Sequence, residues 1–449
     1  MLVTTVFLIV VLAFFTLTSI NFRSGFFAFL FLYGVYPRFF ALGLSGEGFA
    51  LTGQRAMLLI LAGFFVLRVL WGSAEVMRAL DIAKRYKTVF VYIGALLLAR
   101  LIGNIVTSRI DVGSLGAAVS EMLLSLFVTL LVITYAKTRK DMGLMISLVV
   151  LSLLINQVVA TYEFSIGESV FPQSIDLQYQ EDRSDEELLE GKERGDTYRA
   201  MGLFDNALEL AGLLCLTLPL AMSMAATSSG YLLRISALFV VMMALPTALF
   251  SGSRAALGVS LLIFSWYLFR FVGRGLSSKG RFFLGAVGVL AGSALLFATA
   301  TGLLQALLFG EGFAGSTTYR VFQYVQGFTA LLESPAFGFG YARNIGDVVL
   351  IRPLDSYYLR MTLEGGVVAL LAVLLILKKV FSLSREVCRM ATTAADYSIA
   401  HAIGVSISVA ALIMLVFSLP ADRLYVFMLA GLVISLHHRV RESVESAPV

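Results

Sequence analysis

The chain has 449 residues, of which 59% are hydrophobic and only 14% are charged, and its mean hydropathy is +0.88. A soluble domain carries roughly a quarter charged residues, because a globule needs a polar shell that this chain cannot supply. The net charge of +5 comes from short clusters of lysine and arginine between apolar runs. This composition predicts an integral membrane protein and argues against nucleic-acid binding.

The apolar runs are about 20 residues long and lack strict alternation, which favours helices over the strands of a barrel. We therefore expect an all-α polytopic bundle of about 12–13 transmembrane helices. The thirteen predicted spans are 3–20, 24–42, 54–72, 88–107, 114–135, 142–161, 201–226, 232–250, 254–271, 282–305, 358–377, 398–419 and 423–437.

The lysine and arginine residues in alternate loops predict the orientation of the spans. These loops and the tail after the last span share one side, which the positive-inside rule assigns to the cytoplasm. Their basic residues are Arg78, Lys84, Arg85, Lys87, Lys137, Arg139, Lys140, Arg270, Arg274, Lys279, Arg281, Lys378, Lys379, Arg385, Arg389, Arg439 and Arg441. The N-terminus is then expected on the outer side.

Two long loops fall on the outer side and divide the chain into five segments. We predict N-terminal helices in 1–161, an acidic loop in 162–200, central helices in 201–305, a second long loop in 306–357, and C-terminal helices with a cytoplasmic tail in 358–449. The first loop is dense in acid from Glu181 to Asp196, as expected for a solvated loop or lid. The second contains a helix-like segment, Thr317 to Leu332, which Ser334-Pro335 ends. Long loops among short ones are the expected place for function.

Four outer-side elements place charge at or just inside the membrane edge. Burying an arginine at mid-depth costs about 2.5–3.5 kcal/mol on insertion scales, although snorkelling near the interface lowers this cost. Each arginine alone is also explained by topology, but three arginines on one face suit a diphosphate, because the guanidinium stays charged and matches phosphate oxygens. The elements are 198–206, 251–254, 318–323, and 355–359 followed by 364–366.

The four elements, taken in order, resemble the O-antigen ligase and Wzy-type polysaccharide polymerase superfamily. The family pattern R-x-x-G-x-f-x-N stands at Arg199 to Asn206, and t-G-S-R-g-A stands at Ser251 to Ala255. An arginine helix with a P-x-f-G-x-G turn follows at 335–340. The pattern [HD]-[NS]-x-y-L leading to E-x-G stands at Asp355 to Gly366.

This resemblance implies an integral-membrane glycosyltransferase, similar to the GT-C type B fold, in the bacterial inner membrane with its active site facing the periplasm. The donor and the acceptor would be glycans linked to undecaprenyl diphosphate, in a lipid-facing groove, and dependence on a chain-length regulator as a further partner is left open. The product would be O-antigen, capsule or exopolysaccharide. The family pattern needs no cofactor and no metal, and the sequence shows no metal-type spacing of cysteine or histidine.

The resemblance and the chemistry of the reaction together suggest residue roles. A leaving diphosphate gains charge, so Arg199, Arg254 and Arg320 are the candidate diphosphate clamp. The acceptor hydroxyl needs a base or an orienting acceptor, for which Asp355 is the first candidate and Glu364 the second. Asp355 is equally well explained as a helix N-cap. Candidate sugar contacts are Asn206 and three tyrosines that also suit an interfacial aromatic belt, namely Tyr319, Tyr357 and Tyr358.

The sequence departs from the ligase branch at Asp355, where that branch typically carries histidine. The chain's histidines, His401, His437 and His438, fall at cytoplasmic ends of predicted spans. A polymerase is therefore favoured over a ligase that transfers finished polymer to lipid A core. A lipid-linked sugar transporter is a further alternative, but it would be expected to carry charge through the membrane depth and often an internal repeat. A non-catalytic scaffold would not require the three outer arginines.

Two further charged groups inside predicted spans need partners. Arg100 and Glu121 lie in the outer halves of neighbouring spans, and we expect them to form an ion pair, because either charge alone would be costly in lipid. Glu209 lies two turns into the span after Arg199. We expect it to hold Arg199 or Arg254 in place.

Overall fold

The computed structural model of the chain describes residues 2–37, 41–43, 50–107, 112–170, 193–194, 197–204, 206–273, 314–341, 356–417 and 423–446. The predicted span 282–305, the acidic residues between Glu181 and Glu190, and Asp355 lie outside the described residues. The expectations that fall on them remain predictions.

The described part of the chain is a helix bundle, as predicted. The helices of the N-terminal half are α1 (Leu2–Ile20), α2 (Phe22–Val35), α3 (Gly53–Leu70), α4 (Ala74–Arg85), α5 (Lys87–Val106), α6 (Val112–Met122), α7 (Val128–Tyr135) and α8 (Arg139–Ile166). A π-helical turn, Leu123–Phe127, joins α6 to α7.

The helices of the C-terminal half are α9 (Ala207–Thr227), α10 (Tyr231–Met242), α11 (Ala244–Phe250), α12 (Arg254–Gly273), α13 (Ala314–Leu331), α14 (Tyr357–Met390), α15 (Ala394–Ile413) and α16 (Arg423–Glu445). Two short antiparallel strand pairs lie in connections. They are β1 (Ala41–Gly43) with β2 (Ala50–Thr52), and β3 (Glu193–Arg194) with β4 (Thr197–Tyr198).

Seven described helices are long and apolar enough to cross a membrane, or eight if the pair α10–α11, bent by 46°, is one span. They confirm a polytopic all-α membrane protein, but the described residues do not reach the predicted dozen spans. One predicted span is wrong in its second half. The helix in 24–42 ends at Val35, and residues 41–43 form β1 instead.

Two other span boundaries also differ from the prediction. The span predicted from residue 201 begins only at Ala207, where the Asn206 side chain caps α9 by accepting a hydrogen bond from the Leu208 N–H at 2.8 Å. The span predicted to end at residue 377 continues as helix to Met390, so the basic residues 378–389 are on α14 rather than in a loop.

Basic side chains from several connections meet acidic partners at one end of the bundle. Arg139 contacts Asp396 at 2.6 Å, and Arg439 pairs with the same carboxylate. Lys137 contacts Glu75 at 2.5 Å. These contacts confirm that the loop before α8 and the end of α16 lie on the same side of the bundle. We call this side the basic end, and its assignment to the cytoplasm remains a prediction.

The candidate site lies at the opposite end of the bundle. Helix α8 starts at the basic end with Arg139, so its last turn, at Glu163, reaches the other end. Helix α14 runs the other way, because its C-terminus precedes Asp396 at the start of α15. Its first turn therefore lies on the same side as Glu163. Within the bundle, α14 packs against α5, α15 and α16.

Candidate functional site

The first two predicted elements lie against each other. The Ala200 N–H donates a hydrogen bond to the Phe250 carbonyl at 2.9 Å, and Arg199 Nε donates to the Ser251 carbonyl at 3.1 Å. Gly252 has φ +61°, and a Cβ there would lie 3.2 Å from Arg199 Nε. A glycine is needed because it supplies the left-handed turn and leaves room for the arginine. The turn therefore fixes the position of the half-buried Arg199 side chain.

Arg254 begins helix α12 directly after this turn. Ser253 Oγ accepts a hydrogen bond from the Ala256 N–H at 3.3 Å, as an N-cap residue does. The Arg254 side chain is 7% exposed. A helix N-terminus carries partial positive charge, and a guanidinium on its first residue adds to it. Arg199 and Arg254, predicted separately from sequence, thus belong to two elements in direct contact, at one corner of the bundle.

Two polar residues of α8 that the sequence analysis missed hold the segment after Arg199. Glu163 Oε2 accepts hydrogen bonds from the N–H groups of Met201 at 2.9 Å and Gly202 at 2.8 Å. Asn156 Oδ1 accepts one from the Leu203 N–H at 2.9 Å. The signal was present, because a fully buried acid and amide on an apolar helix need partners. The non-helical backbone of 201–203 supplies these partners.

The tyrosine that precedes Arg199 lies at the edge of the same corner. Desolvation by burial raises the pKa of Tyr198 to about 12. The nearby Glu163 carboxylate acts in the same direction. Tyr198 therefore stays neutral at physiological pH and adds no negative charge beside Arg199. Glu209, in the first turn of α9, is 6% exposed, and its predicted contact with Arg199 or Arg254 remains a prediction.

The third and fourth elements are joined by α13. This helix confirms the predicted segment 317–332 and ends before Ser334-Pro335. The Tyr324 hydroxyl donates to Ser356 Oγ at 2.8 Å. Tyr319 and Arg320 lie on α13, and Arg320 is one turn before Tyr324, but their side chains are outside the described residues. This contact brings α13, which carries Arg320, to the start of α14. Asp355 is the residue that precedes Ser356 in the sequence.

The alternative explanation of Asp355 as a helix N-cap is wrong. Ser356 is the N-cap of α14, and its Oγ accepts a hydrogen bond from the Leu359 N–H at 3.3 Å. One side chain already fills the capping position. Asp355 precedes this cap, and its role as the base or orienting acceptor remains a prediction.

The prediction that Tyr357 stacks on a sugar is not supported by its position. The Tyr357 side chain is 2% exposed, and the Arg423 guanidinium lies 5.8 Å from its ring centre. Its backbone N–H donates to the Met414 and Phe417 carbonyls, both at 3.0 Å. Tyr357 is a packing residue. Tyr358 is half-buried, and its hydroxyl donates to the Ala411 carbonyl at 2.9 Å, so its ring remains a candidate sugar contact, as does the exposed Asn206.

Helix α14 is broken at Gly365 and Gly366, where the Pro335–Gly340 turn inserts. Gly366 has φ +65° and ψ −165°, which frees the preceding carbonyls from the helix. The Phe339 N–H donates to the Leu363 carbonyl at 2.7 Å, and the Gly340 N–H donates to the Glu364 carbonyl at 2.8 Å. In return, the Val367 N–H donates to the Pro335 carbonyl at 2.9 Å. The two glycine-rich patterns of the sequence are therefore two halves of one hydrogen-bonded unit.

We predict that Gly366→Ala prevents the protein from folding or strongly destabilises it. Alanine disfavours this φ, and a Cβ at Gly366 would overlap the Ala336 carbonyl oxygen. Gly94→Ala is the matched control, since Gly94 lies inside α5 and a Cβ added there would have no heavy atom within 4 Å. Thermal unfolding in detergent should show a lower midpoint for Gly366→Ala only. Equal midpoints would contradict the role of the break.

Five charged side chains surround this break. The predicted pair of Arg100 and Glu121 is confirmed, with Nη1 and Oε1 3.5 Å apart. Arg100 also pairs with Glu364, and Arg423 also pairs with Glu121. Arg360 Nε lies 2.7 Å from the other Glu364 oxygen. Buried charges need such mutual pairing, because leaving one charge alone inside the protein is expensive.

These pairs argue against Glu364 as the second candidate base. Its side chain is 2% exposed, and each of its oxygens faces a guanidinium. A carboxylate enclosed in this way has no route to the hydroxyl of an acceptor sugar. Glu364 instead ties α14 to α5 and fixes the first turn of α14.

The fold and the site together define a polytopic membrane protein that presents fixed arginines at one end of its bundle. Residues 214–374 match the family model Wzy_C, described as O-antigen ligase. This segment is therefore similar to the O-antigen ligase and Wzy-type polymerase superfamily, whose members are glycosyl-transferring enzymes, and the resemblance found in the sequence is confirmed over these residues. The matched segment includes Arg254, Arg320, Asp355 and Glu364, whereas Arg199 precedes it. No curated protein matches the chain.

Proposed function

We propose that this protein polymerises oligosaccharide repeat units carried on undecaprenyl diphosphate, at the periplasmic face of the bacterial inner membrane. The observation that carries the proposal is the contact between the Arg199 segment and the turn that precedes Arg254. This contact brings the Arg199 segment against the turn that leads into Arg254, at the end of the bundle opposite the basic end. Fixed cations there suit a diphosphate whose lipid chain stays in the bilayer.

In the proposed reaction, a hydroxyl of the acceptor glycan attacks the anomeric carbon of the donor sugar. The new bond joins the acceptor oxygen to that carbon, and the bond between the carbon and the diphosphate oxygen breaks. The diphosphate leaves on its lipid with one more negative charge. Arg199, Arg254 and Arg320 stabilise this charge, because preorganised cations interact more strongly with the transition state than with the donor. The proton of the acceptor hydroxyl passes to Asp355.

The positions of the histidines favour a polymerase over a ligase. His401 stacks on Tyr397 with ring centres 6.0 Å apart, and His437 bonds Tyr86 at 2.7 Å. Tyr397 follows Asp396 in α15, so His401 lies toward the basic end. His438 lies 3.1 Å from Glu442 on α16. The whole chain has three histidines, and these positions supply none of them to the candidate site, where the ligase branch uses one.

A ligase reaction is the second candidate, because the matched family model is described as O-antigen ligase. Both reactions release the same diphosphate, so the acceptor distinguishes them. Purified protein in nanodiscs, given only lipid-linked repeat units, should form a ladder of glycan lengths if it is a polymerase. A single transfer that appears only after lipid A core is added would instead identify a ligase. No transfer with either acceptor would contradict both.

Asp355→Asn is expected to lower ladder formation by about 10²–10⁴-fold, because a positioned base contributes rate enhancements of this size. The matched control is Ser356→Ala, which removes the helix cap next to it and should cost about 1 kcal/mol of stability. We expect the control to melt at a lower temperature but to keep its turnover per folded molecule. Wild-type turnover by Asp355→Asn would exclude Asp355 as the base.

A further inference from the structure

A large cavity lies between α12, α14 and α15, away from the candidate site. Its volume is about 660 Å³. The walls are mainly apolar and include Ile263 of α12 and Val405 and Val409 of α15. Trp266, Phe381 and Leu412 line the same cavity with side chains that are 46%, 37% and 41% exposed. Within the described part of the chain, the cavity is therefore open to the side of the bundle, where a membrane protein meets lipid.

Three arginines line this apolar cavity at the basic end. Arg385 and Arg389 stand on successive turns of α14, and Arg270 stands in the last turn of α12. No described acidic side chain lies within ion-pair distance of these three. Glu386, the acidic residue that follows Arg385 in the sequence, is instead hydrogen-bonded to Ser382 at 2.9 Å and to His437 at 3.1 Å. Within the described part of the chain, these arginines therefore place positive charge without a paired carboxylate beside an apolar cavity, where Arg270 donates a hydrogen bond to the Tyr397 hydroxyl.

The length of α14 puts these charges at the depth of lipid headgroups. The part of α14 after its break, residues 367–390, spans about 36 Å, whereas the hydrocarbon core of a bilayer is about 30 Å thick. With its first turn at the outer end, the last turns of α14 extend beyond the hydrocarbon. A phosphate held by Arg385 and Arg389 would sit at the interface, with the apolar walls of the cavity one to several turns deeper. Trp266 has the amphipathic ring that is common at this level.

We propose that this cavity binds an anionic phospholipid of the leaflet at the basic end. Its phosphate lies against Arg385, Arg389 and Arg270, and one acyl chain fills the apolar part. Charge complementarity selects the anionic headgroup, because each arginine near the surface favours an anionic lipid over a neutral one. This site is separate from the proposed diphosphate site, and the proposal does not depend on the polymerase reaction.

The two tryptophans of the chain allow a direct test. Trp71 is 78% exposed at the end of α3, so Trp71→Phe leaves Trp266 as the single tryptophan, which is excited selectively at wavelengths that tyrosine does not absorb. In nanodiscs of phosphatidylcholine, brominated phosphatidylglycerol should quench Trp266 at a mole fraction about 30-fold lower than brominated phosphatidylcholine does, because each of the two arginines Arg385 and Arg389 favours an anionic lipid. The double variant Arg385→Gln/Arg389→Gln should lose this preference.

Arg78→Gln/Arg85→Gln, in the same Trp71→Phe background, is the matched control. It removes the same charge from exposed arginines of α4, which approach His438 at the basic end, and it should keep the preference. Equal quenching by the two lipids, or an equal loss of preference in both double variants, would overturn the proposal. An absence of quenching by either lipid would also overturn it, because it would mean that the chain's own residues 274–313 or another protein fill the cavity.

Discussion

Replacing Arg254 with alanine is expected to lower glycan ladder formation by about 10²–10³-fold, with the protein still folded and inserted. Removing one preorganised donor to a developing negative charge typically costs this much. Arg254 is the first residue of α12 and follows the turn that positions Arg199. We expect losses of similar size for Arg199→Ala and Arg320→Ala. The measurement is the ladder formed from lipid-linked repeat units by purified protein in nanodiscs.

The matched control for these arginines is Arg234→Ala, which removes an exposed arginine from the first turn of α10. It should leave the ladder unchanged. Arg254→Lys separates charge from geometry, because lysine keeps the charge but lacks the planar fork of donors. We expect partial activity from it. Full ladders from all three alanine variants would reject the clamp.

The second large effect is expected on stability rather than on turnover. Glu364→Gln leaves Arg100 facing a neutral side chain inside the protein, where its remaining pairing is with Glu121 at 3.5 Å. Breaking a buried ion pair by neutralising one partner costs about 3–5 kcal/mol. The variant should show a clearly lower melting midpoint in detergent and a lower yield of monodisperse protein.

Glu445→Gln is the control for this variant, since it neutralises a glutamate in the exposed pair of Arg441 and Glu445. It should melt with the wild type, because exposed ion pairs contribute little. The result for Glu364→Gln also distinguishes its two assigned roles. A variant that melts normally but makes no ladder would restore Glu364 as a candidate base. A destabilised variant with normal turnover per folded molecule would establish it as a structural residue that ties α14 to α5.

The sequence predicted those features that depend on local pattern. The helix at Ala314–Leu331 and its end before Ser334-Pro335 follow from apolar periodicity and from the restriction that proline places on its predecessor. The pairing of Arg100 with Glu121 follows from the cost of an unpaired charge in lipid. The loop charges predicted that Arg139 and Arg439 share a side, which their common partner Asp396 confirms.

The features that sequence analysis missed depend on partners far away in the chain. Hydropathy counted 201–206 as part of a span, because Met201, Leu203 and Phe204 are apolar. It could not show that their backbone N–H groups bond Glu163 and Asn156, about 40 residues earlier. The break in α14 was invisible for the same reason. Two glycines in an apolar run are compatible with a straight helix unless another backbone segment is present to bond the freed groups.

The break in α14 has a consequence for how the site can diversify. The turn that inserts at the break is held at Phe339 and Gly340 by hydrogen bonds to the carbonyls of Leu363 and Glu364 in α14. Ser356 is held by its hydrogen bond with Tyr324. Residues 342–355, which include Asp355, therefore connect two anchored points, and neither anchor depends on their composition. Under the proposed function, changes in the length or sequence of this connection would alter which acceptor sugar fits, while Arg199 and Arg254 on either side of the 251–253 turn stay in place. One membrane frame would then serve many polysaccharides, with the general chemistry of diphosphate departure kept apart from the recognition of each sugar.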